Sequence, residues 1–336
     1  MEATTNLEVP LVTIGICTYN RADGYLRDTL RSAVAQTYPN LEIVISDNCS
    51  EDNTEEVVRS FDDPRIRYFK QEENIGVLNN FNFCVAEARG TYFLLLHDDD
   101  LIDPDFIEVC MASADYREDY GFVRTGVRWI DANGDTIKER PNRAAGLSAK
   151  DFFLAWFEDR GIQMYLCNTL FNTKGLRDVG GFYSDRILWC DLVPEVQLAA
   201  KHGRSDVEDV KASFRVHDTK NSWAGRIEDW CVDSRYLFDI MLGLVDDPDG
   251  SFRRSGMRFF ASHCLRYARS VRPFTDRMAS YFLIYRSFEN TNSVFVKTFI
   301  TAPIAAFPKR MARRIRRGVK KIVSRGNDRL AADTSH

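Results

Sequence analysis

The segment Tyr92 to Pro104 concentrates the chain's chemistry: Tyr-Phe-Leu-Leu-Leu-His, then Asp98-Asp99-Asp100, then Leu-Ile-Asp-Pro. The apolar run has the length and residue types of a buried strand, and periodicity alone leaves a buried helical segment open. Three adjacent carboxylates repel one another and resist burial. They suit the exposed end of a core strand, where a divalent cation offsets the repulsion. Carboxylate oxygens are the hard ligands that Mg²⁺ prefers and that Mn²⁺ accepts. A strand end is also where open α/β sheets bind ligands. The triplet on its own also reads as an acidic turn before a helix capped by Asp103 or Asp105.

The elements that must position this triplet alternate along the first third of the chain. Strand-like runs occupy residues 11–17, 41–46, 66–69 and 92–96, and helix-like runs occupy 23–35, 52–61 and 78–88. This βαβαβαβ order predicts a mostly parallel sheet with right-handed crossovers. Polar clusters follow three of the strands: Thr18-Tyr19-Asn20-Arg21, Asp47-Asn48-Cys49-Ser50, and His97 to Asp100. In a parallel sheet all three fall on one edge and converge on one crevice. Farther on, the pattern predicts strands over 122–130, 164–171 and within 207–216. Helices are expected over 148–157 and near 193–201, with a mainly helical, aromatic- and arginine-rich stretch over 223–290.

Composition narrows the class. The chain has 336 residues, 44% hydrophobic and 12% aromatic, enough for a sizeable core. Net charge is −4, so the chain as a whole lacks the basic balance of a nucleic-acid binder. Residues 309–325 are the exception, with nine Lys and Arg and no acid. The eight cysteines are scattered without a CxxC pair, which favours buried thiols in a reducing compartment over a disulfide framework. Met1 to Pro10 is polar and lacks the apolar core of a signal peptide, and no apolar run reaches membrane-spanning length. The expectation is a cytoplasmic protein.

A classical dinucleotide or P-loop site is excluded early, because Thr18-Tyr19-Asn20-Arg21 follows the first strand in place of GxGxxG or GxxxxGK[ST]. Asp47 can accept hydrogen bonds from a base or ribose, or serve a local cap. The ordered set is more specific than any member. It comprises Pro10 to Arg21, Gln36 to Asp47, Asn48 to Thr54, Asn74-Ile-Gly76, Ala88-Arg-Gly-Thr-Tyr92, the triplet, Leu176 to Phe182, Cys190-Asp191, Phe214 to His217, and Asn221-Ser222. Together these strongly resemble the inverting glycosyltransferases of family 2, across about Val9 to Ser222. The resemblance implies a GT-A nucleotide-diphospho-sugar transferase fold with a mostly parallel sheet flanked by helices. It implies a domain over 1–222, a helical extension over 223–292 and a basic amphipathic arm over 293–336.

The resemblance also implies a nucleotide-sugar donor and Mg²⁺ or Mn²⁺. By analogy Thr18, Tyr19, Asn20, Arg21, Asp47 and Asn74 contact base, ribose or diphosphate. Asp99 takes the metal-contacting place, Asp98 and Asp100 support ribose, sugar or metal, Arg215 pairs with phosphate, and His217 completes the metal or diphosphate shell. His97 stands where the family often has an acid, as do Asn48 and Cys190. Asp191 is the implied base, removing a proton from the acceptor hydroxyl as it attacks the anomeric carbon; it also reads as a helix N-cap. Trp189, Trp223 and Tyr183 read as core packing or as a wall for a sugar ring.

Met311, Ile315, Val319 and Ile322 recur at helical spacing in the basic arm. That pattern fits a helix lying on an anionic membrane, which would suit a lipid-linked glycan or glycolipid acceptor. The same stripe would also suit docking on the protein itself. The expected function is addition of a sugar to a surface glycan by an enzyme peripheral to the inner face of the cell membrane. A non-catalytic nucleotide-sugar or glycan-binding scaffold and a nucleotidyltransferase are the competing readings.

Overall fold

The computed structural model describes residues 9–217 and 225–288. The chain folds as two units, Met1–Gly256 and Met257–His336. The expected domain boundaries at 222 and 292, and the whole basic arm, lie outside the described residues.

The first unit is built on one nine-stranded sheet. In chain order its opening elements are β1 Val12–Thr18, α1 Leu26–Val34, β2 Leu41–Asp47, α2 Thr54–Arg59, β3 Ile66–Lys70, α3 Val77–Glu87 and β4 Tyr92–His97. Next come β5 Leu101–Ile102, α4 Phe106–Ser113, β6 Phe122–Ile130, β7 Thr136–Arg140, α5 Ala149–Phe157, β8 Thr169–Asn172 and α6 Thr173–Asp178. The unit continues with α7 Leu192–His202, β9 Arg204–Arg215 and α8 Ile227–Leu244. The spatial order is β3-β2-β1-β4-β8-β6-β9-β5, with β7 paired to β6.

The first four strands are parallel, as the βα alternation requires. Beyond β4 the sheet is mixed: β8 runs antiparallel to both β4 and β6, while β9 runs parallel to β6 and antiparallel to β5.

Alternation along β1 explains how this sheet is covered on both faces. Val12, Ile14 and Ile16 join Leu26 and Leu30 of α1, Val57 of α2 and Phe106 of α4 in one core. Thr13, Gly15 and Cys17 face the other way, toward α3. There Cys17 Sγ lies 3.4 Å from Cys84 Sγ, and Thr13 Oγ1 donates to Glu42 Oε1 at 2.7 Å. Asn80 of α3 fixes the helix to the end of β2, accepting from Ser46 Oγ and donating to the Ser46 carbonyl. All eight cysteines are free, as the spacing predicts.

Several elements depart from the sequence expectation. The predicted strand over 164–171 is extended only from Thr169. Leu166–Asn168 forms a 3-10 turn because the Asn168 side chain captures local backbone, accepting from Tyr165 N and donating to the carbonyls of Gln163 and Thr125. β7 gives no apolar signal, being exposed over most of its length. It forms because the Asp131 carboxylate accepts from Asn133 N and Asp135 N and sets a hairpin turn. α6 is started by Asn172, which accepts from Gly175 N at 2.8 Å.

The second unit contains most of α9, Ser251–Ala268, and α10, Phe274–Ser287. Phe260, Cys264 and Ala268 recur on the buried stripe of α9. Among the described residues no helix is long and apolar enough to cross a membrane.

Two predictions follow from packing and burial. A Cβ on Gly15 would lie 2.6 Å from the Phe93 ring and 3.0 Å from Cys84 Cβ. Gly15→Ala is therefore expected to cost about 1–3 kcal/mol by overpacking, read as a lower denaturant midpoint. Burial lowers the His263 imidazole from 6.5 to about 4. The unfolded chain then binds the extra proton first as pH falls, so stability of the second unit is full above the ordinary imidazole value and declines toward pH 4. The loss is about 3 kcal/mol at its limit; hydrogen exchange in α9 between pH 7 and 4 reads it, and His263→Gln flattens the dependence.

Candidate active site

Strand register assembles the site. Thr18 of β1 is level with Asp47 of β2, and Cys17 is level with His97 of β4. The three polar clusters therefore leave the sheet from one edge. β9 approaches from the other side: it pairs with β5, directly after the acidic triplet, and so delivers Arg215 and His217 to Asp99 and Asp100.

On the β1–β2 side the structure joins most of the expected donor residues. Asp47 is fully buried; its Oδ1 accepts from Ser50 N at 2.8 Å and its Oδ2 from the Tyr68 hydroxyl at 2.6 Å. Burial and that bond raise the Tyr68 hydroxyl well above the usual range. Asn20 has φ +53°, and it bridges the two loops by accepting from Glu51 N and donating its own N–H to Ser50 Oγ. Asn48 donates to Asn74 Oδ1 at 2.8 Å and accepts from Ile75 N at 2.9 Å. The residue that departs from the family pattern thus organises the Asn74 loop. Tyr19 stands 44% exposed at the mouth of these loops.

The triplet is held by surrounding cations and donors. Arg21 Nε lies 3.6 Å from Asp98 Oδ2. Burial nevertheless pushes the Asp98 carboxyl up to about 6, against Arg21 and with help from the Asp99 charge. Asp99 Oδ2 is 2.8 Å from His217 Nε2. Asp100 Oδ1 accepts from Arg215 N at 2.9 Å, and its carbonyl accepts from Thr29 Oγ1. The Arg215 guanidinium is buried over the Tyr25 ring at 4.2 Å and donates to the carbonyls of Asp99, Asp131 and Ala132. The phosphate-pairing expectation for Arg215 thus meets a guanidinium engaged with backbone behind the triplet, a bracing position. Tyr25 also tilts against the His217 ring at 5.1 Å, and no sequence pattern marked it.

His97, Asp99 and Asp100 each offer one donor atom, and these atoms lie within 4.8 Å of one another. Two carboxylates and an imidazole suit a borderline divalent ion such as Mn²⁺ and leave room for ligands from a substrate. His97 stacks on Phe81 at 5.4 Å, which fixes its ring plane. The substitution of His for an acid at this position therefore keeps a metal-competent donor.

Asp191 lies at the N-terminus of α7, where its Oδ1 accepts from Leu192 N at 3.0 Å. Burial raises its carboxyl above the ordinary range, while His97 pulls in the other direction. The N-cap reading is realised, and the capping carboxylate also feels the charge of His97. One turn on, Glu195 is buried beside Arg124 and pushed up to about 7 by desolvation. Trp189 is core: it is 9% exposed, meets Trp156 and Trp230 edge-on and donates to Ser234 Oγ. Tyr183 is half exposed, and Trp223 lies outside the described residues.

An acidic triplet and two further polar loops at the carboxyl edge of a parallel sheet are the arrangement of the GT-A glycosyltransferases. The model of the family described as Glycosyl transferase family 2 matches residues 13–177. An uncharacterized glycosyltransferase of Rickettsia typhi is 42% identical over 233 residues, covering 67% of this chain and 70% of the relative. The chain belongs to glycosyl transferase family 2. It spans 52% and 17% of the lengths of two further matched relatives. S. aureus TarS 1-349, in complex with UDP-GlcNAc, superposes with TM-score 0.64 at 15% identity over 94% of this chain and 92% of that one. A Pyrobaculum calidifontis mannosyltransferase, in complex with GDP-Man and Mn²⁺, gives TM-score 0.50 at 17% identity over 88% of each. These structural likenesses speak to the fold.

The bracing role of Arg215 makes a distinct prediction. Lysine carries the charge but cannot span three carbonyls or stack flat on Tyr25. Arg215→Lys is expected to cost about 2 kcal/mol of stability, measured by chemical denaturation, and to weaken Mn²⁺-dependent ligand binding in the same protein.

Proposed function

We propose that the chain moves one sugar from a nucleotide-sugar donor to a hydroxyl of a glycan acceptor, with inversion at the anomeric carbon and Asp191 as base. The observation that carries this reading is a buried carboxylate, raised by burial, that feels the charge of His97, a member of the His97–Asp99–Asp100 cluster. A carboxylate in that setting is a stronger proton acceptor than an ordinary surface Asp. It takes the acceptor proton as the oxygen attacks. The nucleoside diphosphate departs from the opposite face, so a single base is sufficient and no second carboxylic acid is required.

In this reading Thr18, Tyr19, Asn20, Arg21, Asp47 and Asn74 receive the base, ribose and diphosphate. The register of β1 with β2 and the bridge from Asn48 to Asn74 support that grouping. Arg21 and Asp98 sit at the sugar-diphosphate end, and Arg215 keeps Asp99 and Asp100 in place. Asp99, Asp100 and His97 would hold Mn²⁺ or Mg²⁺, with His217 steadying Asp99 or sharing the ion. When bound, that ion supplies positive charge against the negative charge growing on the leaving diphosphate. The use of UDP-GlcNAc by one structural neighbour's complex and of GDP-Man by another's leaves the base of this donor to experiment.

The acceptor is proposed to be lipid-linked. The support is the basic amphipathic pattern of 309–325, which would hold the enzyme at an anionic membrane on its cytoplasmic side.

A thermal-shift series with UDP-, GDP-, CDP- and dTDP-sugars, each with and without Mn²⁺, tests the donor site. One nucleotide class is expected to raise the melting temperature in a Mn²⁺-dependent manner, since a ligand stabilises the state it binds. Asp99→Ala should remove most of the Mn²⁺-dependent part. A folded protein that responds to none of the donors would contradict the proposal.

A further inference from the structure

The segment from Phe182 to Asp191 begins and ends at the same imidazole. Phe182 packs edge-on against Phe81 at 6.1 Å, and Phe81 stacks on His97. At the other end Asp191 lies in the field of His97. The residues between form a rim that leads along the chain into the candidate base, with Tyr183 and Ile187 each 50% exposed.

This rim is pinned at three places. At the entry Asn82 of α3 accepts from Phe182 N and donates to the Phe182 carbonyl, both at 2.9 Å. At the exit Trp189 Nε1 donates to Ser234 Oγ at 3.0 Å. Between them stands Asp233 of α8, a fully buried carboxylate. Its Oδ1 accepts from Arg186 N at 2.6 Å, and its Oδ2 accepts from Leu188 N at 2.7 Å and Ser184 Oγ at 2.8 Å. One carboxylate thus gathers three donors of a single loop, from a position 45 to 49 residues away.

The backbone pays for this shape at Ile187, which has φ +69°. A β-branched residue in that region is strained, and such strain persists only where the surroundings over-determine it. Here the flanking N–H groups of Arg186 and Leu188 are both tied to Asp233. A loop serving only to connect α6 to α7 would be eased by glycine at this position and by an inward apolar side chain. Instead the strained residue presents its side chain to solvent, and Tyr183 of the same loop is equally exposed. Exposed apolar and aromatic side chains are the kind that meet the C–H face of a sugar ring.

We propose that Asp233 is a positioning residue for acceptor capture: it holds the Tyr183–Leu188 rim in the shape that lets Tyr183 and Ile187 meet a sugar ring of the acceptor glycan. This rests on the transferase reading above. Asp233 touches no substrate and acts through the rim.

The test compares wild type with Asp233→Asn and Ile187→Gly, using the donor that gives the thermal shift and a panel of p-nitrophenyl hexosides as acceptor probes. Asp233→Asn keeps the size of the side chain but puts an N–H₂ against at least one backbone donor of the loop. It is expected to raise the acceptor KM about tenfold or more while the donor KM stays within twofold. Trypsin should cleave after Arg186 at least tenfold faster than in wild type. Ile187→Gly suits a positive φ, so it should melt no lower than wild type while still raising the acceptor KM. Equal changes in donor and acceptor KM, or no change in either, would overturn the proposal. Unchanged trypsin protection in Asp233→Asn would overturn the clamp independently of turnover. Wild-type protein that turns over no donor would instead contradict the transferase reading, and the acceptor role with it. Should Asp233→Asn fail to fold, an acceptor KM left unchanged by Ile187→Gly would overturn the proposal, and a raised one would support it.

Discussion

Three carboxylates in a row at the end of a buried strand are the constraint around which the first unit is organised. Their repulsion must be met from several directions at once, and the chain supplies a partner from each. Arg21 comes from the loop after β1, and Arg215 and His217 come from the end of β9. Burial still raises the Asp98 carboxyl to about 6. Burial is the larger effect at Asp98, and a divalent cation beside the triplet would favour its ionised form. Beyond β4 the sheet turns mixed, and β9, returning alongside β5, places the Arg215 guanidinium against the Asp99 carbonyl.

Much of this was legible in the chain. The alternation of apolar runs with helix-spaced segments marked the four parallel strands: β1, β2 and β4 are buried on both faces and read as largely apolar runs, and the half-buried edge strand β3 mixes apolar and basic residues. The convergence of Thr18–Arg21, Asp47–Asn48 and His97–Asp100 followed from that parallelism alone. Segments governed by side-chain capture of backbone were less legible. Asn168 shortens a predicted strand, Asp131 sets an expected turn that leads into an unpredicted strand, and Asn172 starts an unpredicted helix. These depend on single polar residues whose role appears only when the neighbouring carbonyls are in place.

The site shows the same division. The triplet was singled out because three carboxylates end an apolar run, and Asp191 because its place matches a family pattern. Tyr25 and Asn82 were missed, since an isolated tyrosine or asparagine near a helix carries no periodic signal. Asp233 had a weak one: it occupies the buried stripe of α8 with Trp230, Leu237 and Met241, where an unexplained carboxylate is a departure from the apolar pattern. Arg215 was assigned to phosphate from its family position, and the structure adds a bond from its guanidinium to the Asp99 carbonyl that no sequence pattern marked. The distinction between touching a substrate and holding the group that touches it is invisible at the level of sequence.

The central claim is that Asp191 is the base of a sugar transfer. The most direct measurement is donor turnover, with the nucleotide sugar that stabilises the protein, by wild type and Asp191→Asn under identical Mn²⁺. The account predicts a loss of about 10²–10⁴-fold in turnover, with donor affinity retained, since the amide preserves shape but cannot take the proton. Turnover within a few-fold of wild type would contradict it and leave Asp191 as a helix cap.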